Sequence, residues 1–196
     1  IIAPEIWLSD HHLRKRSTDI YYRIQLPLLS LDSAVDYTVR RAKRELNVTE
    51  AKYDKVHGKL IREFISTHDL SQEQLHIFKQ VPQYLKTSTT ARLLEARKKN
   101  VLVAFSIVDL GAADYAFYLF NFRSSKKMIP GASDLLFSHM IQLAQSEGKA
   151  VINLGLGIHP GIRRFKEKWG GVPFCSYAAA LVVRKSTELD RLMDKL

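Results

Sequence analysis

The sequence is poor in cysteine, in metal-ligand clusters and in long apolar runs. Cys175 is the single cysteine among 196 residues, so no intrachain disulfide forms, which is typical of a reducing, cytoplasmic location. No apolar run approaches the ~20 residues of a membrane-spanning helix, and no secretory signal pattern is present, so no membrane span is expected. The adjacent His11 and His12 lack partners at ligand spacing, so the sequence predicts no metal site.

Positive charge is abundant by contrast. Lys and Arg number 30 against 20 Asp and Glu, which gives a net charge of +10 and favours an anionic partner. The excess is spread, with 18 basic and 12 acidic residues in 1–100, and 12 and 8 in 101–196. This distribution argues against a basic tail of the nucleic-acid-binding type. A chain of this length with 46% hydrophobic residues is enough for one packed domain, which we expect to cover 1–196.

The first half of the chain has mainly helical periodicity. Alternating apolar and polar residues over 19–26 predict one strand that Pro27 ends. Helices are then predicted from Ser30, over 49–67, from a Ser71–Gln74 capping box to about Pro82, and over 89–99.

The second half of the chain is dominated by β-forming runs, which predict a sheet. Eight of the nine glycines lie between Gly111 and Gly171, which places the special backbone geometry here. Strands at 101–108 and 114–122 predict a hairpin, and a helix over 134–147, capped by Ser133, leads into a strand at 150–154. This strand–helix–strand order predicts a βαβ unit with parallel strands. A strand at 174–184 and a short helix from Ser186 follow.

The loop between Phe122 and Leu135 joins a strand to a helix N-terminus. Free backbone N–H groups and the helix dipole favour an anion there, and Arg123, Lys126 and Lys127 add positive charge. A phosphate or pyrophosphate site is one interpretation. A capped loop with solvated lysines is the other.

Three glycines follow the strand at 150–154, namely Gly155, Gly157 and Gly161. Their spacing, with Pro160 between them, differs from a dinucleotide fingerprint, and no acidic residue follows at the required distance. We interpret them as letting the strand end move away from its neighbour, which would open a slot for a thioester arm.

The basic segment that follows predicts a helix with two faces. Ile162, Phe165 and Trp169 recur at helical spacing and should face the core. Arg163 and Lys166, three residues apart, could meet one anionic substrate group. The alternative is a solvated basic face above an anchoring aromatic stripe.

Acid–base candidates are isolated residues. His159 lies on the turn after the central strand, and Tyr118 is a potential proton donor on a strand, so these two are the catalytic candidates. Both residue types also occur commonly as a loop histidine and a packing tyrosine. No Ser-His-Asp set is present, and Cys175 has no histidine near it in sequence.

Taken together, the hairpin strand 115–122, the loop to Ser133, the helix 134–147, the strand 150–154 and the segment 161–173 resemble the Gcn5-related N-acetyltransferase superfamily. The resemblance is to the branch shared with Fem-type peptidoglycan aminoacyl transferases. It implies an α+β fold with a mixed, mostly antiparallel central sheet, a βαβ unit and helices on both faces. Residues 100–184 would form the acyl-donor core, and 19–99 the acceptor-side strand and helices.

The resemblance also implies a function, an N-acyltransferase that moves an acyl group from acyl-CoA to an amine of a small molecule or peptide. The donor arm would lie between two separated central strands, with no catalytic dyad required because the enzyme mainly aligns the reactants. The donor-binding residues implied in this way are Phe120, Asn121, Phe122, Arg123, Ser125, Lys126, Lys127, Gly131, Ala132, Ser133 and Asn153. Two alternatives stay open: an aminoacyl-tRNA-dependent transferase, suggested by the +10 charge, and a non-catalytic ligand-binding domain, suggested by a loop with only one glycine.

Overall fold

The computed structural model describes residues 1–8 and 13–182. The short helix predicted from Ser186 and the His11–His12 pair therefore lie outside the described residues. The elements in chain order are β1 Ile2–Ala3, β2 Leu13–Gln25, α1 Ser33–Lys43, β3 Asn47–Ala51, α2 Lys55–Thr67, α3 Gln72–Thr87, β4 Ala91–Lys98, β5 Val101–Asp109, β6 Tyr115–Arg123, α4 Ala132–Ser146, β7 Val151–Leu156, α5 Pro160–Lys168 and β8 Val172–Val182.

One eight-stranded sheet organises the described chain, in the order β1-β8-β2-β7-β6-β5-β4-β3. Neighbouring strands are antiparallel except β6 and β7, which are parallel and joined by α4. The predicted hairpin, the βαβ unit and the α+β class are confirmed. Among the described residues, no helix combines the length and apolarity that crossing a membrane requires.

Apolar side chains cover both faces of this sheet. On one face, α1 and α4 pack over a core that includes Phe137, Met140 and Trp169. On the other face, α2 and α3 pack over a second core around Phe105 and Phe122. The central strands are consequently apolar on both sides, which is why β5 reads as a nearly continuous hydrophobic run.

One helix prediction in the first half is wrong, and a second is confirmed with a later start. Residues 89–99 form no helix, because Ala91–Lys98 pairs along its whole length with β5. Leu93 and Leu94 are both buried, one in each core, so β4 lacks the alternation that marks a half-exposed strand. The helix predicted over 49–67 begins only at Lys55, because 47–51 pair with β4 as an edge strand.

Helix boundaries differ in three further places. The N-cap of α1 is Asp32, whose carboxylate accepts the Ala34 N–H at 2.8 Å, and not Ser30. The Ser71–Gln74 capping box is confirmed, but α3 runs through Pro82 to Thr87, and Val81 just before the proline is fully buried. The N-cap of α4 is Gly131, not Ser133.

Candidate functional site

The parallel strands β6 and β7 separate midway along their length. They pair only from Tyr115 to Phe117 and from Val151 to Asn153, after which β7 continues against β2 alone. Each strand carries an irregularity just past the last pair. In β6 the register to β5 passes over Leu119, and in β7 the register to β2 passes over Leu154. Such bulges bend a strand and increase its twist, so two of them at one level open a slot between the strands.

The bulge at Leu119 decides which side chains border this slot. Tyr118 lies on the α4 face, with its ring centroid 5.1 Å from that of Phe137. Phe120 and Phe122 lie on the opposite face against Phe78. Phe122 is 1% exposed and belongs to the core, whereas Phe120 is only partly buried.

Asn121 brings an unsatisfied polar atom to the same region. Its register partner on β5 is Ser106. The Asn121 Oδ1 and Ser106 Oγ atoms are buried, and neither has a hydrogen-bond partner. A buried polar atom without a partner is costly, and a bound ligand that offers a donor is one way to satisfy it.

Asn153 stands at the last paired position of β7. Its Oδ1 accepts the backbone N–H of Gly155 at 2.8 Å, so the side chain folds back along its own strand. Gly155 has a φ of +74°, a left-handed conformation that glycine adopts without strain. Together they shape the strand end, and the Asn153 carboxamide lies where the two strands part.

Lys166 is the most unusual charged residue near the slot. It is 4% exposed, its Nζ donates to the carbonyl oxygen of Leu156 at the end of β7, and it lies 5.7 Å from the Tyr22 ring centroid. A Cβ added to Gly155 would come within 4.0 Å of this Nζ. Burial lowers the pKa of Lys166 from its ordinary value to about 8.

The structure does not bring Arg163 and Lys166 together on a solvent-facing surface. Arg163 is exposed, and its guanidinium lies 3.6 Å from a carboxylate oxygen of Asp19. Lys166 faces inward with Phe165 and Trp169. The sequence did not predict this orientation, because the segment is rich in charged residues. The only feature of the sequence that could have indicated burial of Lys166 is its position between Phe165 and Trp169, which both pack inward.

The two catalytic candidates occupy different settings. His159 is exposed and forms the N-cap of α5, where its Nδ1 accepts the Ile162 N–H at 3.4 Å. Tyr118 borders the slot, and burial raises the pKa of its hydroxyl, which keeps the phenol protonated at neutral pH. Of the two, Tyr118 is positioned beside the separated strands.

The loop after β6 already holds an anion from the protein itself. The Glu63 carboxylate of α2 accepts the Ser125 N–H and the Ser125 hydroxyl, each at 2.7 Å, and the Ser124 hydroxyl at 3.2 Å. These hydrogen bonds lower the pKa of Glu63, and the bond from the Ser125 hydroxyl has the largest effect. Arg123, Lys126 and Lys127 are exposed at the rim of the loop.

Helix α1 covers part of the N-terminus of α4. Gly131 has a φ of +80°, and a Cβ there would lie 2.9 Å from a Thr38 methyl group of α1. Ala132 is buried and Ser133 half-buried. Asp134 in the first turn accepts the Trp169 indole N–H at 2.9 Å, which fastens α5 to α4. The predicted anion loop is thus more enclosed than its sequence indicates.

No group of three or more His, Cys, Asp or Glu side chains within 1–8 and 13–182 is arranged to hold a metal ion.

Comparison with known proteins gives likeness in structure only. No protein-family model matches the chain, and no curated protein sequence matches it. Among solved structures, a C-terminal domain from Agrobacterium fabrum, provisionally described as that of a lysylphosphatidylglycerol synthetase, is similar with a TM-score of 0.63 and 16% identity over 95% of this chain and 66% of that one. FemX is similar with a TM-score of 0.64 and 12% identity over 90% of this chain and 63% of that one. A GCN5-related N-acetyltransferase from Kribbella flavida is similar with a TM-score of 0.56 and 11% identity over 87% of this chain and 60% of that one.

These likenesses define the class of fold. The chain has the fold shared by GCN5-related acetyltransferases and Fem-type proteins, as the resemblance predicted. It spans just under two thirds of the length of the A. fabrum domain and of FemX. At identities of 16% or less, the comparisons show the fold and leave the activity and the substrates open.

Proposed function

We propose that this protein transfers an acyl group from an activated ester or thioester to an amine, at the slot between β6 and β7. The observation that carries the proposal is the separation of these parallel strands after Phe117 and Asn153, with a buried lysine at the end of β7. The unsatisfied Asn121 Oδ1 supports it, because an amide N–H of a donor arm would satisfy that atom.

In the reaction, the amine nitrogen attacks the acyl carbonyl carbon, and a tetrahedral intermediate forms with negative charge on oxygen. The intermediate collapses to the new amide, and the bond to the thiolate or alkoxide breaks. The attacking nitrogen loses one proton to solvent water, and the leaving group takes one up. Lys166, with a pKa of about 8, is mainly protonated at pH 7 and suits stabilisation of the oxyanion or protonation of the leaving group. The protonated Tyr118 phenol is a second donor at the slot.

Acyl-CoA is the donor that the resemblance implies. The test is calorimetric titration with acetyl-CoA and a longer acyl-CoA, followed by mass spectrometry of a mixed amine panel incubated with each. We expect CoA release and an amide product, both lost in Lys166→Met. Binding absent at millimolar acyl-CoA, with no product, would contradict acyl-CoA as the donor.

An aminoacyl-tRNA is the second candidate donor. It is favoured by the Glu63 carboxylate that already occupies the Ser124 and Ser125 donors, and by α1 over Gly131, since both leave less room for a pyrophosphate. The resemblance to Fem-type aminoacyl transferases implies the same donor. A gel-shift with aminoacyl-tRNA at low salt should show retardation that salt weakens, and no retardation at 50 mM salt would dismiss this donor.

If neither donor binds and no amine is acylated, the third function, a non-catalytic ligand-binding domain with the same fold, is the one that remains. A single turnover of any amine acceptor excludes that outcome. The two donor experiments therefore separate the three functions.

A further inference from the structure

A second cleft lies on the other face of the sheet, between the first half of α2 and the end of α3. It has a volume of about 370 Å³ and is lined by Tyr53, Asp54, Lys55, Gly58, Lys59, Arg62 and Lys86. No residue of the separated strands or of the loop after β6 contributes to it. It is therefore a site distinct from the one described above.

Four cations converge on this cleft. Lys55, Lys59 and Arg62 are spaced i, i+4 and i+7, so they lie along one face of α2, and Lys86 comes from α3. All four are exposed, and in the part of the chain that the structure describes none of their side chains forms an ion pair or donates a hydrogen bond. Elsewhere on the protein, basic residues such as Arg97 and Lys98 are paired with carboxylates.

The single carboxylate of the cleft is engaged by the backbone. Asp54 is the N-cap of α2 and accepts the N–H groups of Val56 and His57 at 2.8 and 3.4 Å. It therefore offsets only part of the charge, and a net positive potential remains. Concave surfaces with charge of one sign concentrate ligands of the opposite sign.

The floor of the cleft is set by a close contact of Tyr53 with Gly58. A Cβ on Gly58 would lie 2.6 Å from the Tyr53 hydroxyl oxygen, so only glycine lets the ring lie against α2. Burial raises the pKa of Tyr53, and its hydroxyl stays a hydrogen-bond donor at neutral pH. The cleft thus combines four cations with one neutral donor.

We propose that this cleft binds a small phosphorylated molecule, with Lys59 and Arg62 as its principal phosphate ligands. The volume suits a ligand of nucleotide or sugar-phosphate size, and cations that converge from two helices fit a compact anion better than an extended polyanion. The proposal does not depend on the acyl-transfer function, because no residue is shared.

The test uses inorganic phosphate, pyrophosphate and ribose 5-phosphate as probes, titrated into ¹⁵N-labelled protein and followed by the amide signals of α2. We expect saturable shifts centred on Gly58, with a dissociation constant of about 1 mM or tighter for at least one probe. The double variant Lys59→Gln/Arg62→Gln should weaken binding about tenfold or more, because two charge-assisted contacts are removed.

Two controls attribute the binding to the cleft. Lys79→Gln removes an exposed charge of α3 outside the cleft, and Lys126→Gln/Lys127→Gln removes two charges from the loop after β6. Both should change the dissociation constant less than twofold. Equal losses in all three variants would overturn the proposal, since they would indicate general charge attraction. So would binding of heparin or RNA through Lys59 and Arg62 with no response to the three small probes.

Discussion

At the scale of single residues, Lys166 carries the most information about the site. Burying the Lys166 ammonium group, which is 4% exposed and donates to one carbonyl oxygen, costs folding free energy. Proteins tolerate such a cost mainly where the charge serves a function. The lowered pKa of Lys166 results from burial, partly opposed by Asp19, and buried residues with shifted pKa values concentrate at functional sites. On β6, burial raises the pKa of Tyr118, and the buried Oδ1 of Asn121 has no hydrogen-bond partner.

The burial of Lys166 has a consequence for stability that is independent of function. Its folded pKa of about 8 is below the unfolded value of 10.5, so between these pH values the unfolded chain binds more protons than the folded one. Stability contributed by this site should therefore increase as pH rises from about 8 to 10.5. Relative to Lys166→Met, the wild type should gain about 2–3 kcal/mol of unfolding free energy between pH 7 and pH 10, measured by urea unfolding.

Titration of the other lysines and tyrosines cancels in that comparison because both proteins carry them. Lys168→Met is the matched control, since Lys168 is partly exposed and ion-paired with Asp134. A pH dependence of Lys166→Met identical to that of the wild type would show that Lys166 is not buried as described.

At the scale of elements, glycines fix how α1, α4 and β7 meet. Gly131 and Gly148 flank α4 with positive φ angles of +80° and +69°. A Cβ at Gly131 would lie 2.9 and 3.0 Å from the methyl group and carbonyl oxygen of Thr38, whereas at Gly148 nothing lies within 4 Å. The two positions share a backbone conformation and differ in packing.

This pair allows the α1–α4 contact to be measured. Gly148→Ala should lower the unfolding free energy by about 1 kcal/mol, because alanine is strained in the left-handed backbone conformation and the new methyl group meets no neighbour. Gly131→Ala should cost about 2–3 kcal/mol, because the new methyl group also has to displace α1. Chemical denaturation of both variants tests the difference. Equal costs would mean that α1 does not cover the start of α4.

The Glu63 carboxylate links α2 to the loop after β6. Glu63→Gln keeps the shape of the side chain but weakens the charge-assisted bonds from Ser125, at a cost of about 1 kcal/mol. Because the folded pKa of Glu63 is lowered, its contribution is present above the unfolded value of 4.5 and is lost as pH falls through the folded value.

Hydrogen exchange reports this link locally. The amide of Ser125 should exchange faster in Glu63→Gln, and so should those of Lys126 and Lys127, whose N–H groups are held by the Ser124 hydroxyl. Glu73→Gln, an exposed first-turn residue of α3, should leave them unchanged. Unchanged exchange in Glu63→Gln would remove Glu63 as the anchor of the loop.

At the scale of the whole molecule, the two large apolar cores share the strands β4, β5 and β6 of one sheet. The core under α1 and α4 and the core under α2 and α3 use opposite faces of β4, β5 and β6, as Leu93 and Leu94 illustrate. Loss of either core would uncover the same strands. We therefore predict that the chain unfolds as one cooperative unit, in keeping with the single domain expected over 1–196.

Urea unfolding followed by far-ultraviolet circular dichroism and by tryptophan fluorescence should give coincident transitions. Trp7→Phe removes the tryptophan that is 86% exposed and leaves the buried Trp169 as the reporter of the first core. Transitions with separate midpoints would indicate that the helical first half unfolds independently, and would contradict the single domain.

The sequence by itself determined the second half of this protein. Local patterns predicted the hairpin, the βαβ unit and the glycine-rich strand end. Strand-forming runs, the glycine after α4 and short connections each depend on residues that are close together in the sequence. The same signals placed Tyr118, Asn121 and Asn153 on the strands that separate. The capping box of α3 was equally local and equally predictable.

The tertiary structure alone decided the rest. Residues 91–98, within the helix predicted over 89–99, form a strand because pairing with β5 and burial on both faces outweighed their helical periodicity. Lys166 turned inward because Phe165 and Trp169 anchor α5 against Phe137, which local charge could not show. Glu63 reached Ser125, 62 positions away, through the packing of α2 on β6. Each of these depends on contacts between residues distant in sequence, and a pattern read along the chain does not contain them.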